Sequence, residues 1–578
     1  MHKIQADANS SFKTTMHALF SIPELLWIIF ENLKPIDQRQ CVSVCTLWSE
    51  VVLDLLWADV QDIKRLLNVL APVQKKYSLE DDPRLRHQNA TYIFDSPPDH
   101  TRWIRFQSKY CSRIRSIRHW DSQQISSLMD TLTSLHASSS TSPILPRLQT
   151  LYWCGPLETL GRATTFMHPD IRNFKTSVGW SLDPNLTELQ SYVVTIPNRM
   201  PALTSLVLDG FAWPEYTEPI VQILQAFPCI TRLDLPAFQD ISPFLTCIAP
   251  SRRMQNLSFF SYLFFGHRVR GVVERISPAS DNDDFDCLNS LRLVVSNYSG
   301  TVSFIQSHSL HSLNTLSLET RFAEYSVSVR VLLKALASSC PNLAKTTLIS
   351  CYAMNVDALQ DAYVDDRVVG FDDMRSILTC RKMSHFHFRH PLPVCLSDKD
   401  MEEIAMAWPD LEELELCPHP LVEIYPEDAP TVLSVFHLTH HCLKLHNLSL
   451  YLDTRLSRTP PLPTSPVTKH ADLKLLNVGV SEMEPEDAPG IAKLLGQLCS
   501  ADCLLVFPPL DETYDWELDE PIESVWDVVA KTFPQFSKVY KAHGGANLQD
   551  EDLQHEVEVI TRAMDLEKFQ STGIVDVD

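Results

Sequence analysis

One apolar spacing, Leu-x-x-Leu-x-Leu, recurs along much of the chain and constrains its fold more than any other feature. The clearest copies carry Leu or Ile at all three positions and begin at Leu203, Ile230, Leu288, Leu313, Leu411 and Leu445. Weaker copies, with other residues at some of these positions, begin at Leu148, Met254, Leu343, Met383 and Leu473. From Leu203 onward, successive copies start 24 to 40 residues apart, in the range of known repeat proteins. The spacing suits a short strand with one inward face, so we predict a stack of repeats.

Several copies follow an amphipathic helix that ends in an apolar residue and Pro. The junctions are Phe227-Pro228, Cys340-Pro341 and Trp408-Pro409. Because Pro cannot continue a helix, each junction ends an outer helix and lets the next strand join an inner parallel sheet. The pattern resembles the leucine-rich repeats of F-box proteins, without the Asn or Cys position of regular repeats. We therefore expect an α/β fold: an irregular leucine-rich-repeat solenoid with an inner parallel sheet and outer helices.

The C-terminal region is expected to continue this stack. A helix from about Pro489 to Leu498 leads to a strand at Leu504 to Phe507, and a second helix from about Ile522 ends at Phe533-Pro534. The stretch from Thr459 to Pro466 reads as an exposed insertion because it is rich in Pro. A last helix is predicted at about Asp550 to Leu566.

The first sixty residues predict a small helical module. Residues 21–33 read SIPELLWIIFENL, in which Ser21 and Glu24 have capping-box spacing and the apolar run covers every side of a helix. Pro35 is expected to stop this helix, and an amphipathic pattern follows from Gln38. A module this small cannot cover its own helices completely. Its remaining apolar face is covered either by the repeats behind it or by a partner protein, and the pattern alone favours neither.

The residues themselves resemble the F-box, whose pattern is Leu-Pro-x-Glu-Leu, Ile-Phe, Leu, Pro-x-Asp and Val-Cys-x-x-Trp. The chain departs from it at Ile22, at Thr46 and in Ile36-Asp37-Gln38. The resemblance covers about 40 residues and implies binding of a Skp-type adaptor. It implies that the core and the adaptor-binding surface of the module are formed by Ile22, Pro23, Leu25, Leu26, Ile29, Phe30, Leu33, Val44, Cys45 and Trp48.

These patterns divide the chain into five regions. We expect a flexible N-terminus at 1–16, an F-box at 17–60, a helical linker region with a Ser/Pro-rich loop at 61–146, the leucine-rich-repeat-like solenoid at 147–544, and an acidic C-terminal helix and tail at 545–578. Within the linker region, a helix is predicted from about Asp59 to Leu70.

Charge and hydropathy limit the partners of the chain. Its 49 Lys and Arg against 72 Asp and Glu give a formal net charge of −23, which repels phosphate backbones and anionic lipids. The longest apolar runs are far shorter than the roughly 20 residues that a bilayer-spanning helix needs, and the N-terminus lacks the apolar core of a signal peptide. We expect an intracellular protein, cytoplasmic and/or nuclear, that binds neither nucleic acid nor membrane.

The sequence contains no motif for catalysis or cofactor binding. It has no phosphate-binding loop, dinucleotide fingerprint, zinc-protease motif or serine nucleophile elbow. Its 15 cysteines form no C-x-x-C pair and are expected to be reduced thiols. The clusters His385/His387/His390 and His440/His441 lack a matching ligand set in the sequence. We therefore expect no enzyme activity, no cofactor and no metal.

The resemblance implies a substrate-recognition subunit of an SCF-type E3 ubiquitin ligase. Such a subunit binds a Skp-type adaptor, and through it a cullin–RING ligase, while its repeats bind a protein target. One alternative is a non-catalytic leucine-rich-repeat scaffold that binds the adaptor without substrate turnover. Another is an enzyme with an unrecognised site.

The target surface is predicted from strand geometry. If the leucines of each motif point into the core, the residues between them point outward on the concave face. These positions include Arg232, Asp234, Arg292, Glu413 and Glu415. Because the chain is acidic, a target with basic patches is favoured.

Overall fold

The structure is a computed structural model of the 578-residue chain. It describes residues 22–77, 91–120, 124–139, 142–155, 157–178, 186–260, 263–264, 267–268, 271–277, 285–350, 365–421, 429–461, 472–507, 524–542 and 554–562. The predicted Ser21 cap and the flexible N-terminus at 1–16 lie outside these residues, as does most of the predicted C-terminal tail.

The strands are short, as expected for repeats that each contribute one strand. They are β1 Asp59–Val60, β2 Val73–Lys76, β3 Thr91–Phe94, β4 Ser116–Trp120, β5 Thr150–Cys154, β6 Asn173–Val178, β7 Ser205–Gly210, β8 Arg232–Pro236, β9 Asn256–Phe260, β10 Leu263–Phe264, β11 His267–Arg268, β12 Ser290–Val295, β13 Thr315–Thr320, β14 Lys345–Ile349, β15 His385–Arg389, β16 Glu413–Leu416, β17 Asn447–Leu450, β18 Leu475–Asn477 and β19 Leu504–Val506.

The helices vary more in length than the strands. They are α1 Pro23–Glu31, α2 Pro35–Cys41, α3 Thr46–Ala58, α4 Ile63–Leu67, α5 His100–Phe106, α6 Ser126–Ser139, α7 Leu160–Ala163, α8 Leu186–Arg199, α9 Thr217–Gln225, α10 Ser242–Ile248, α11 Tyr298–Ser307, α12 Ser326–Ser339, α13 Phe371–Met374, α14 Asp398–Ala407, α15 Val432–His441, α16 Ala488–Leu498 and α17 Val525–Ala542. Residues 554–562 are also helical.

The chain divides into two compact units. The first comprises residues 1–238 and 261–271. Its strands β1, β4, β5, β6, β7 and β8 pair in parallel, each with the next in this order. One apolar residue of each strand lies in the same register and is buried, namely Val60, Ile117, Leu151, Phe174, Leu206 and Leu233. Burial of this row on one side of the sheet stabilises the unit. Two antiparallel hairpins, β2–β3 and β10–β11, stand apart from the sheet.

The second unit comprises residues 239–260 and 272–578. Its strands β9 and β12 to β19 pair in parallel in chain order. Its inward rows contain the leucines of the motif, and Leu414 is buried as the pattern predicts. Outer helices cover this side, as the Phe386 ring shows by packing 5.1 Å from the ring of Trp408 at the end of α14. The predicted α/β fold with a parallel sheet and flanking helices is therefore confirmed in each unit.

The sequence pattern predicted that the repeats start at residue 147, but the sheet begins earlier in the chain. Strand β4 lies inside the predicted linker region, and β1 precedes it. The spacing of β4 is Ile114-x-x-Ile117-x-His119, and that of the unpredicted β6 is Ile171-x-x-Phe174-x-Thr176. Both copies end in a polar residue, so a search for leucine passes over them. His119 is nevertheless buried because its ring packs edge-on against Trp153 at 4.8 Å.

Three predicted helices have different limits. The amphipathic stretch from Gln38 is split into α2 and α3, and Pro35 starts α2 rather than only ending α1. The helix predicted from Asp59 is preceded by β1 and starts after Asp62, whose side chain accepts a hydrogen bond from the Lys64 N–H. Helix α17 continues through Pro534 instead of ending there. Its buried face outweighs the one backbone hydrogen bond that Pro removes.

Candidate protein-binding surfaces

The N-terminal module, residues 22–58, has its own small core. Leu26 and Phe30 of α1 are buried against Val51 and Val52 of α3. The Phe30 ring meets the half-buried Trp48 ring edge-on, with centroids 5.0 Å apart. Both α1 residues lie on one face because they are four positions apart.

A polar contact holds the end of α1 in place. The Gln38 side-chain amide donates to the Phe30 carbonyl oxygen at 2.8 Å and to the Leu33 carbonyl oxygen at 3.2 Å. Phe30 is in the last turn of α1, where the carbonyls lack a partner further along the helix, and Leu33 follows the end of the helix. Gln38 of α2 therefore fixes the turn between the first two helices.

The module also carries several exposed apolar side chains. Ile28 is 57% exposed, Ile36 is 64% exposed and Val44 is 58% exposed, and Ile22, Trp27 and Ile29 are exposed to a lesser degree. Ile28 follows Leu26 by two residues, which places it about 200° around the helix from the core. Several large apolar side chains on so small a module are typical of a surface that a partner covers.

The structure separates the ten residues implied by the resemblance into surface and core. Five are exposed: Ile22, Pro23, Ile29, Val44 and Cys45. Leu25, Leu33 and Trp48 are half-buried. Leu26 and Phe30 are buried and belong to the core of the module, where they hold α1 on α3.

Three further exposed residues were not among the ten that the resemblance implies: Trp27, Ile28 and Ile36. The signal for the first two was already in the sequence, since a helix apolar on all sides cannot bury every face in a module of three helices.

Arg113 forms the polar contacts that attach the N-terminal module to the sheet of the first unit. Its guanidinium bonds the carboxylates of Glu50 and Asp54 on α3, and its Nη1 also donates to the Glu50 carbonyl oxygen at 2.9 Å. Burial lowers the pKa of Arg113, but the two carboxylates more than offset this and leave the pKa above its usual value. Helix α3 also runs directly into β1, which pairs with β4. The module is thus held at two points.

The polar face of each sheet carries the residues predicted to bind a target, but ion pairs already engage them. Arg232 contacts Asp234 at 2.7 Å on the same strand. Arg292 contacts Glu319 on the neighbouring strand at 3.0 Å. Such pairs keep each arginine oriented along the sheet.

Burial also differs from the prediction. Asp234 and Glu415 are buried, while Arg232 and Arg292 are exposed. Glu415 lies beneath Arg389, whose Nη2 donates to its Oε2 at 3.0 Å. The two carboxylates therefore orient arginines, and the arginines are the groups that a partner would meet.

Glu413 lies at the centre of a group of histidines. His387 Nε2 is 3.3 Å from its Oε2, and His446 Nε2 and His385 Nε2 are 3.6 Å and 3.9 Å from its Oε1. Burial, together with the nearby Lys345, lowers the pKa of His385. His390, the third histidine of this part of the sequence, is engaged elsewhere, because both of its ring nitrogens contact backbone atoms of Glu324 and Leu392.

The remaining chemistry of the described residues is simple. No disulfide bond joins the cysteines within the described part of the chain, and burial raises the pKa of several of their thiols, including Cys154 to about 11. Within the part of the chain that the structure describes, no helix has the length and apolar character to cross a membrane.

No protein-family model matches the chain, and a search of curated proteins found no significantly similar sequence.

Proposed function

We propose that the chain is the substrate-recognition subunit of an SCF-type E3 ubiquitin ligase. Residues 22–58 bind a Skp-type adaptor, and the repeats bind a protein target. The observation that carries this proposal is the set of exposed apolar side chains on the module, above all Ile28, Ile36 and Val44, within a segment that resembles the F-box. The module's own core leaves them uncovered, and an adaptor would remove them from water.

The attachment of the module supports a tethering role. Helix α3 continues into β1, and Arg113 holds α3 beside β4. A rigid link to the sheet of the first unit would keep a target bound to that sheet at a set distance from the adaptor, which raises the effective concentration of the target near a ubiquitin-conjugating enzyme. The chain itself then performs no chemistry, and ubiquitin transfer belongs to its partners.

The polar faces of the sheets are the proposed target surface. Arginines at 232, 292 and 389 stand among histidines and carboxylates there. The net charge of −23 attracts a target with basic patches at long range, while on the sheet faces the exposed arginines would contact acidic or other hydrogen-bond-accepting groups of that target.

The test of adaptor binding is a paired substitution on the module surface. Ile28→Ser with Ile36→Ser should lower co-purification with a Skp-type adaptor at least about tenfold, since two apolar contacts are lost at roughly 1–3 kcal/mol each. The matched control is Val194→Ser with Val327→Ser, because these residues are 63% and 60% exposed on helices outside the module. The control should bind adaptor normally.

Folding is checked by thermal unfolding of both double variants, whose midpoints should stay near that of the wild type. Unchanged adaptor recovery from the Ile28/Ile36 variant would contradict the proposal. Equal loss from the control would show that the effect is not specific to the module.

The alternative is a scaffold that binds the adaptor without turnover. The two functions differ in the fate of the bound protein: deletion of residues 22–58 should lengthen the half-life of a captured target if the chain is a ligase receptor, and should leave it unchanged if the chain is a scaffold.

A further inference from the structure

Three side chains that the sequence analysis did not group together lie close to one another between two outer helices of the second unit. They are Glu402 of α14, and His437 and His441 of α15. We propose that they form a binding site for a zinc ion that links the two helices. This site is independent of the adaptor and target surfaces.

Helix geometry brings the two histidines together. His437 and His441 are four residues apart on α15, so their side chains project from the same face about one turn apart. The adjacent pair His440/His441 does not have this property, because neighbouring residues on a helix point about 100° apart. Glu402 completes the group from α14, the helix packed beside α15.

The distances fit a tetrahedral ion with little movement. Glu402 Oε1 is 3.5 Å from His437 Nδ1 and 3.9 Å from His441 Nε2, and the three ligand atoms all lie within 4.8 Å of one another. Ligands held about 2.0–2.2 Å from zinc in a tetrahedron are about 3.3–3.6 Å apart. A small closure of the three side chains therefore suffices.

One of these atoms is left without a hydrogen bond. The His437 side chain is only 12% exposed, and its Nδ1 is buried with no hydrogen-bond partner among the described residues. A buried polar atom in this state destabilises the folded protein. His437 Nδ1 lies 3.5 Å from Glu402 Oε1, and a cation bound by both atoms would give the nitrogen a partner.

The helices are fixed on both sides of the group. At the start of α15, Asp398 accepts hydrogen bonds from the Thr431 N–H at 2.9 Å, the Thr431 hydroxyl at 2.8 Å and the Ser434 hydroxyl at 2.5 Å. At its end, the Cys442 thiol contacts the carbonyl oxygens of Ala405 and Trp408 at 3.5 Å and 3.4 Å. Ligands placed in advance by rigid elements bind an ion with little ordering cost.

The ligand types select zinc over the common hard cations. Two imidazoles and one carboxylate suit zinc, whereas magnesium and calcium prefer oxygen ligands throughout. Three protein ligands leave one tetrahedral position for water. Glu402 and His441 are partly exposed, so the ion exchanges with solvent.

The experiment measures zinc bound to the full-length chain after dialysis against a weak chelator. The wild type should retain one more equivalent of zinc than His437→Ala, His441→Ala or Glu402→Gln. The affinity of this site should fall by more than about tenfold in each variant, because that loss is typical even for groups that only hydrogen-bond to a ligand. Zinc should raise the unfolding midpoint of the wild type but not of the variants.

His440→Ala is the matched control, since it removes the adjacent histidine of the same helix but none of the three ligands. It should retain zinc like the wild type. Glu402→Gln keeps the shape of the side chain, so its unfolding midpoint in chelator should equal that of the wild type, and lost zinc cannot then be ascribed to misfolding. Equal zinc in the wild type and all three variants would overturn the proposal, as would displacement of the ion by excess Mg²⁺.

Discussion

At the scale of single residues, the second unit contains a buried carboxyl group whose protonation state changes with pH. The Glu324 side chain is buried and accepts a hydrogen bond from the Tyr298 N–H at 3.0 Å. Burial raises its pKa from 4.5 to about 7, although this hydrogen bond opposes the change. The nearby His390 ring donates from Nε2 to the Glu324 carbonyl oxygen, and burial lowers the pKa of that ring. Burial thus shifts the pKa values of these two groups in opposite directions, upward for Glu324 and downward for His390.

The sign of the Glu324 effect follows from its raised pKa. Its contribution to stability is fully present below the unfolded value of 4.5 and is lost as the pH rises through about 7. Glu324→Gln keeps an oxygen acceptor without the charge. The free energy of unfolding of the wild type should therefore fall more steeply between pH 5 and 8 than that of Glu324→Gln, by up to roughly 3 kcal/mol.

Denaturant titrations at several pH values measure this difference, and the exposed Glu486→Gln is the control. Parallel pH profiles for the wild type and Glu324→Gln would show that the buried carboxylate does not lose a proton in this range. Because the comparison is between two chains that both contain His390, titration of that ring cancels.

At the scale of helices, the close approach of α16 and α17 depends on a glycine. A Cβ added at Gly496 would lie 2.4 Å from Phe536 Cβ and 3.1 Å from the Phe533 carbonyl oxygen. Phe533 and Phe536 are both buried on α17. The absence of a side chain at 496 lets this aromatic face reach α16, and the contact holds α17 together across Pro534.

Gly496→Ala should therefore separate the helices and destabilise the second unit by about 1–3 kcal/mol, which is typical of overpacking. Gly300→Ala is a matched substitution in α11, where the nearest atoms to an added Cβ belong to Ile276 at 3.7–3.8 Å. It should be neutral or stabilise by up to about 1 kcal/mol, because Ala restricts the unfolded chain. Chemical denaturation compares the two, and equal effects would contradict the packing argument.

These elements also show how far sequence reasoning reaches. The motif located the inward residues of many strands because period-two burial leaves a direct record in apolar spacing. It missed β4 and β6, in which buried His119 and Thr176 occupy the third position. It also missed the continuation of α17 through Pro534, because that helix is held by a distant Gly496. Contacts between residues far apart in the chain determine such features, and local patterns do not record them.

Local sequence patterns are limited in the same way in predicting which side chains lie at the surface. The apolar run of α1 indicated an uncovered face, but only packing shows that Leu26 and Phe30 point inward while Ile28 and Ile29 point outward. The group of Glu402, His437 and His441 joins two helices across a loop, and its only local record is the four-residue spacing of the histidines.

At the scale of the whole molecule, a chain with a net charge of −23 displays arginines on its sheet faces by pairing them with buried carboxylates. Simple charge reversal there would place like charges in contact and confuse unfolding with lost binding. Exchange of the partners avoids this. We expect the combined exchanges Arg292→Glu with Glu319→Arg, and Arg389→Glu with Glu415→Arg, to retain both pairs, leave adaptor binding intact and reduce target capture at physiological salt.

The reason is that a partner meets the exposed member of each pair, and the exchange moves the arginine to the buried position. The control exchanges Arg562 and Glu558, a pair 3.1 Å apart whose two side chains are both well exposed outside the sheet, and it should capture targets normally. Capture is measured by proximity labelling in chains that lack residues 22–58, so that bound targets accumulate. If the exchanged chain folds and still labels the same proteins, the sheet face is not the target surface, and the segment from Thr459 to Pro466, most of which lies outside the described residues, becomes the next region to delete.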